Sequence, residues 1–182
     1  MAMRRIATAL AGAALVLAGA TTAEAGGMEQ AGTAVAIALP LMAGGFALSK
    51  NDWTGVAQLT LDTVATVGTA YALKHVVSEW RPDHSDKQSF PSDTAALAFA
   101  PAQFVWDRYG WEYGVPAYLA AGFVGYSRVD AKKHHWYDVA ASSVIAFGFN
   151  YAIVTRYHES DRYAVYASAD QDSIGVHFTM NW

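Results

Sequence analysis

Between Ser127 and Asp138 the chain reads SRVDAKKHHWYD, which puts two His, two Lys, two Asp and one Arg between stretches that are almost free of charge. A second polar segment, Lys74 to Ser92, carries Lys74 and Arg81 seven residues apart, with Pro82 directly after. Seven residues are about two helical turns, so both cations can project from one face before proline stops the helix. Further on, Pro91-Ser92-Asp93-Thr94 precedes an apolar run. Ser92 then falls where a helix begins, and its hydroxyl joins the free amides of Asp93 and Thr94 at the positive end of the helix dipole. Arg128 closes another apolar stretch, and His134 and Asp138 stand four apart at the start of the next. At that spacing a carboxylate can hold one imidazole nitrogen and leave the other facing a pocket. Two Arg, one Lys, a hydroxyl, helix-end amides and an oriented imidazole describe a site for phosphate or another oxyanion. His134-His135 with Asp130 and Asp138 could instead hold a metal, but Lys132 and Lys133 oppose a divalent ion, and no metal is expected.

Five apolar stretches must position these residues: Ala31 to Ser49, Trp53 to Leu73, Thr94 to Trp106, Tyr113 to Ser127 and Val139 to Thr155. They are too long for strands and rich in Ala and Leu, so all five are predicted helices. The first, second and fifth are long enough to nearly cross a hydrocarbon core of about 30 Å, whereas the third and fourth must be buried among them or lengthened by their flanks. Pro40, Pro101 and Pro116 lie inside the helices and should kink them. If successive helices run antiparallel, the connections after the second and fourth open on the same end, and these are the two polar segments. From Tyr163 to Trp182 the apolar residues alternate, which predicts a short C-terminal β-hairpin around Asp170-Gln171-Asp172. The expected fold class is therefore all-α, a membrane-type or strongly apolar bundle of five to six helices with that hairpin appended.

The 182 residues suit one domain, and 53% hydrophobic against 15% charged residues leans toward a membrane or a very apolar helical protein. Trp53, Trp80, Trp106, Trp111 and Trp136 all sit near the ends of the apolar stretches, as rings in a membrane interface would. A net charge of -4 with scattered Lys and Arg excludes a basic nucleic-acid surface. Arg4-Arg5, the apolar run Ile6 to Ala20 and Ala23-Glu24-Ala25 read as an export signal, alternatively as an uncleaved first helix. The expected division is a leader over 1–25, a helical domain over 26–160 and the hairpin over 161–182.

Lys74-x6-Arg81-Pro82, Pro91-Ser92 and Ser127-Arg128-x5-His134-x3-Asp138 resemble, in order and spacing, the three signatures of the type 2 phosphatidic acid phosphatase (PAP2) superfamily. Bacterial acid phosphatases and vanadium haloperoxidases belong to the same superfamily. The resemblance implies a helical bundle in which His134 attacks phosphorus to form a phosphohistidine and Asp138 orients it. Lys74, Arg81, Ser92 and Arg128, with the amides of Asp93 and Thr94, would bind the phosphoryl oxygens, without metal or cofactor. Two positions depart from the pattern, and the second bears on the chemistry: the family's second signature reads Pro-Ser-Gly-His, with the His protonating the leaving group, where this chain has Pro91-Ser92-Asp93-Thr94. A general acid typically contributes about 10²- to 10⁴-fold, so either another group donates the proton or the leaving group needs little protonation. His84, in the same loop, is the preferred substitute, and a diphosphate is the kind of substrate that tolerates the loss. The expected partner is thus a lipid phosphate or diphosphate, met at the outer face of a bacterial inner membrane. The alternatives are a soluble periplasmic phosphatase and a phosphate-binding relative without turnover.

Overall fold

The computed structural model describes residues 25–157 and two C-terminal strands. The expected leader over 1–25 lies outside the described residues apart from Ala25, which opens the first helix. Each predicted stretch becomes one helix: α1 Ala25–Ser49, α2 Trp53–Val76, α3 Asp93–Tyr109, α4 Trp111–Asp130 and α5 Trp136–Ile153. All are longer at one or both ends than their apolar runs, because polar residues supply the caps. Asp52 accepts from the Gly55 amide at 2.8 Å to start α2, and Ser92 accepts from the Ala95 amide at 3.3 Å to start α3. Gly110 joins α3 to α4 with φ at 101°, a backbone region that a side chain would strain. Helices α1, α3 and α4 run on through Pro40, Pro101 and Pro116.

Helix α3 is the centre of the bundle and packs against α1, α2, α4 and α5. Its Ala95, Ala96, Ala98, Ala100 and Ala102 are fully buried, and such small residues let neighbouring helices approach closely. This is why a helix of 17 residues serves here: it is enclosed by longer ones. Val35, Ala36 and Leu39 of α1 meet Ala98 and Ala102 of α3 and Ala121 and Val124 of α4 in one cluster. The polarity of α2 and α5 is inverted relative to a water-soluble core. Asp62, Thr66 and Asn150 are fully buried between them, with the Asn150 amide donating to Asp62 Oδ2 at 2.9 Å, while Leu61, Val64, Val144 and Phe147 are exposed. Among the described residues one helix is long and apolar enough to cross a membrane, over Gly27–Ser49.

Antiparallel packing puts the α2–α3 and α4–α5 connections at one end, as the alternation of directions predicts. The Asp83 amide donates to the Lys132 carbonyl at 3.1 Å, and Lys133 Nζ pairs with Asp83 Oδ2 at 2.7 Å. The opposite end is locked by a buried ion pair. Arg108 at the end of α3 makes two bonds of 2.5 Å to the Asp52 carboxylate, and Tyr109 donates to the same group at 2.6 Å. Arg108 also donates to the Thr155 carbonyl at 2.7 Å and to Gln58 Oε1 at 3.0 Å, so one guanidinium ties together the starts and ends of three helices. Beyond the bundle, backbone pairing sets Tyr163–Asp170 antiparallel to Ser173–Met180. The fold established for this chain is the five-helix bundle.

Candidate active site

The residues singled out by spacing arrive from four helix ends. Lys74 stands in the last turn of α2, Ser92 caps α3, Arg128 lies in the last turn of α4, and Asp138 in the first turn of α5. All four are buried, as is His134 in the connection just before α5. Arg81, two helical turns of sequence beyond Lys74, is no longer helical, because α2 ends at Val76. It reaches the site from the loop, with its Nη1 donating to the Lys133 carbonyl at 3.4 Å and its Nε to Asp86 Oδ1 at 2.7 Å. The single helical face expected for Lys74 and Arg81 is therefore replaced by a helix end and a loop that meet. Their convergence is also electrostatic: burial holds the Arg128 guanidinium below its ordinary pKa, Glu29 and Asp93 oppose that, and Arg81 repels it.

The setting of His134 differs in detail from the expected clamp by Asp138. Nδ1 lies 2.7 Å from the Ser89 carbonyl oxygen and 3.5 Å from Asp138 Oδ2. A carbonyl only accepts, so Nδ1 carries the hydrogen and Nε2 is left with its lone pair. Asp138 is occupied elsewhere: Oδ2 accepts from the Ser89 hydroxyl at 2.5 Å and from the His135 amide at 2.8 Å. The second bond is half of a capping box, with the residue at N3 reaching back to the N-cap amide to start α5. Burial pushes the Asp138 carboxyl up, but the neighbouring His134 imidazole and the bonds from Ser89 and the His135 amide prevail and hold it below the ordinary range. Ser89 was not singled out from sequence, since a lone serine in a polar loop has no spacing that distinguishes it. Ser142, one turn beyond Asp138, fastens the two helix starts together by donating to the Ser92 carbonyl at 2.7 Å.

Two residues of the second signature behave differently from the rest. The Asp93 carboxylate lies on Lys74, Oδ1 to Nζ at 2.8 Å, and also accepts from the Thr94 amide at 3.1 Å. Burial raises its pKa, but the hydrogen bond and charge of Lys74 outweigh it, so the group stays ionised. Thr94 supplies no imidazole, and His84, the expected substitute, stands in the loop of Arg81, its amide donating to the Arg81 carbonyl at 2.9 Å. His84 is exposed, turned with φ at 56°, and its ring lies 6.0 Å from that of Trp80. A metal-ligand grouping among the described residues brings Glu79, His135 and Asp138 within 4.8 Å of one another. The Asp138 oxygen nearest His135 is the one already taken by Ser89 and the His135 amide, so the grouping is given no role.

A contact from outside the two polar segments completes the site. The first turns of α1 lie against the end of α4, where Arg128 Nη2 donates to the Glu29 carbonyl and Nη1 stands 3.6 Å from Glu29 Oε1. Gly32 permits this, because a Cβ there would come within 1.9 Å of Ser127 Oγ. Glu29 stands just before the first apolar run, far from the three signatures, and nothing in its surroundings marks it.

The chain is similar to proteins already known. The lipid A 4'-phosphatase of Helicobacter pylori (strain J99) is 32% identical over 160 residues, covering 79% of this chain and 80% of the relative. No solved structure matches the chain. The family model described as PAP2 superfamily matches residues 55–162, a span that holds every residue of the cluster except Glu29. The chain therefore belongs to the PAP2 superfamily and is a phosphatase of that type.

Proposed function

We propose that the protein is a lipid phosphatase that works through a phosphohistidine on His134 at the outer face of the inner membrane. The observation that carries the reading is the pairing of a free His134 Nε2 with three cations, Lys74, Arg81 and Arg128, around the start of α3. In the first step Nε2 attacks phosphorus while the bond to the lipid oxygen breaks. Charge building on the phosphoryl oxygens meets the cations, the Ser92 hydroxyl and the amides at the helix start. In the second step water attacks phosphorus, the P–N bond breaks, and phosphate leaves. The name of the H. pylori relative supports a lipid-borne phosphate as substrate.

The membrane reading draws on the surface of the bundle. Trp80 and Trp136 are exposed at the site end and Trp53 and Trp111 at the other, with Leu41, Leu61, Val64, Val144 and Phe147 exposed between them. Aromatic rings at two levels with an apolar belt between them fit a bilayer with α1 as its span. A lipid would then reach His134 laterally. Quenching the enzyme during turnover of a lipid phosphate labelled on phosphorus tests the mechanism. The label should remain on the protein, stable in alkali and lost in acid, and an unlabelled protein at full turnover would overturn the covalent route.

With Thr94 where the family has its proton donor, the leaving oxygen of a monoester is poorly served. A diphosphate leaving group is less basic and should be turned over faster than a lipid monoester. Thr94→His should raise monoester turnover by about tenfold or more and affect a diphosphate less. A monoester that is the faster substrate in the unaltered enzyme would remove Thr94 as the cause.

A further inference from the structure

Each cation of the phosphate site is already paired with a carboxylate: Lys74 with Asp93 at 2.8 Å, Arg81 with Asp86 at 2.7 Å and Arg128 with Glu29 at 3.6 Å. The three pairs are not equivalent. Asp86 also accepts from the Gln88 amide at 2.8 Å and takes only the Nε edge of Arg81, so it braces the loop and does not occupy the terminal nitrogens, of which Nη1 reaches the Lys133 carbonyl. Asp93 and Glu29 are different in placement. The side chains of Lys74 and Arg128 are 5% and 6% exposed, while those of Asp93 and Glu29 are 42% and 38% exposed. The cations thus lie beneath and the carboxylates on the solvent side, where an incoming phosphoryl group must pass. The Glu29 contact at 3.6 Å is longer than a hydrogen bond, and its carboxylate can swing away without loss of one.

We propose that Asp93 and Glu29 are resident counter-ions of the phosphate site, which the phosphoryl group displaces from Lys74 and Arg128 and which return when phosphate leaves. This rests on the phosphatase reading above and adds what sets its affinity. Two buried cations without partners would be costly in the empty enzyme, and the carboxylates remove that cost. They also oppose retention of a product bearing about two negative charges, so inorganic phosphate is held weakly. Asp93 stands where the family signature has glycine, and Glu29 lies outside the matched span.

The test is inhibition of lipid-phosphate hydrolysis by inorganic phosphate in the full-length enzyme, comparing Asp93→Asn and Glu29→Gln with the unaltered chain. Each variant should lower the half-inhibitory phosphate concentration by at least about tenfold, since one negative charge removed a few ångströms from a dianion has that effect even at the dielectric constant of bulk water. A gain in anion affinity is not something a damaged fold produces. Glu29→Gln, at an exposed group without a side-chain hydrogen bond, serves if Asp93→Asn fails to fold. Unchanged or weaker inhibition of the variants, with normal inhibition of the unaltered enzyme, overturns the counter-ion role alone. Absence of both hydrolysis and phosphate binding in all of them overturns the phosphatase reading with it.

Discussion

His134→Ala abolishes phosphate release, by about a thousandfold or more, and removes acid-labile label from the protein. Loss of a nucleophile is among the largest single effects in enzymes, because the remaining groups stabilise a step that no longer has an attacking atom. Two comparisons make the result specific. The variant should stay folded and melt only a few degrees lower, since the Asp138 capping bonds to the His135 amide and to Ser89 remain while the buried Ser89 carbonyl loses its donor. His135→Ala should retain far more activity, because His135 caps α5 through its backbone. Turnover above about one tenth of normal in His134→Ala would exclude it as the nucleophile.

Arg108→Ala lowers stability by about 3–5 kcal/mol, read from thermal or denaturant unfolding in detergent. The size follows from what remains: a buried Asp52 carboxylate stripped of both 2.5 Å bonds and left with Tyr109 and the Gly55 amide, while Gln58 and the Thr155 carbonyl lose a donor. The same pair gives the unaltered protein a pH dependence. Burial raises the Asp52 pKa, but bonds from Arg108, Tyr109 and Gly55 prevail and hold it below the ordinary carboxylate value. A depressed carboxylate contributes stability that is complete above its unfolded pKa of about 4 and is lost as pH falls through the folded value. Unfolding followed downward from pH 5 should therefore show a decline that Asp52→Asn lacks. A decline of equal size in that variant would assign it to other carboxylates.

The five helices were legible because each is a long apolar run between polar caps, and the common end of the two polar connections followed from alternation of direction alone. The family followed from Lys74, Arg81, Pro91, Ser92, Ser127, Arg128, His134 and Asp138, whose spacing no packing requirement imposes. What stayed hidden has a shared cause. Ser89, Glu29 and the Asp52–Arg108 lock act through contacts between residues 45 to 99 positions apart, and each is of a type that is ordinary where it stands. The pairing of the Asp93 carboxylate with Lys74 was not legible either, because only the folded chain brings α2 and α3 close enough for it. His84 was chosen for proximity along the chain, and the fold adds that it stands exposed with a left-handed backbone.

The bond from His134 to the Ser89 carbonyl has a consequence for how such a site can change over generations. A main-chain oxygen has no rotamers and no titration, and point substitution does not remove it. The aim of the imidazole is therefore inherited with the course of the loop, and side chains around it are free to vary so long as that course is kept.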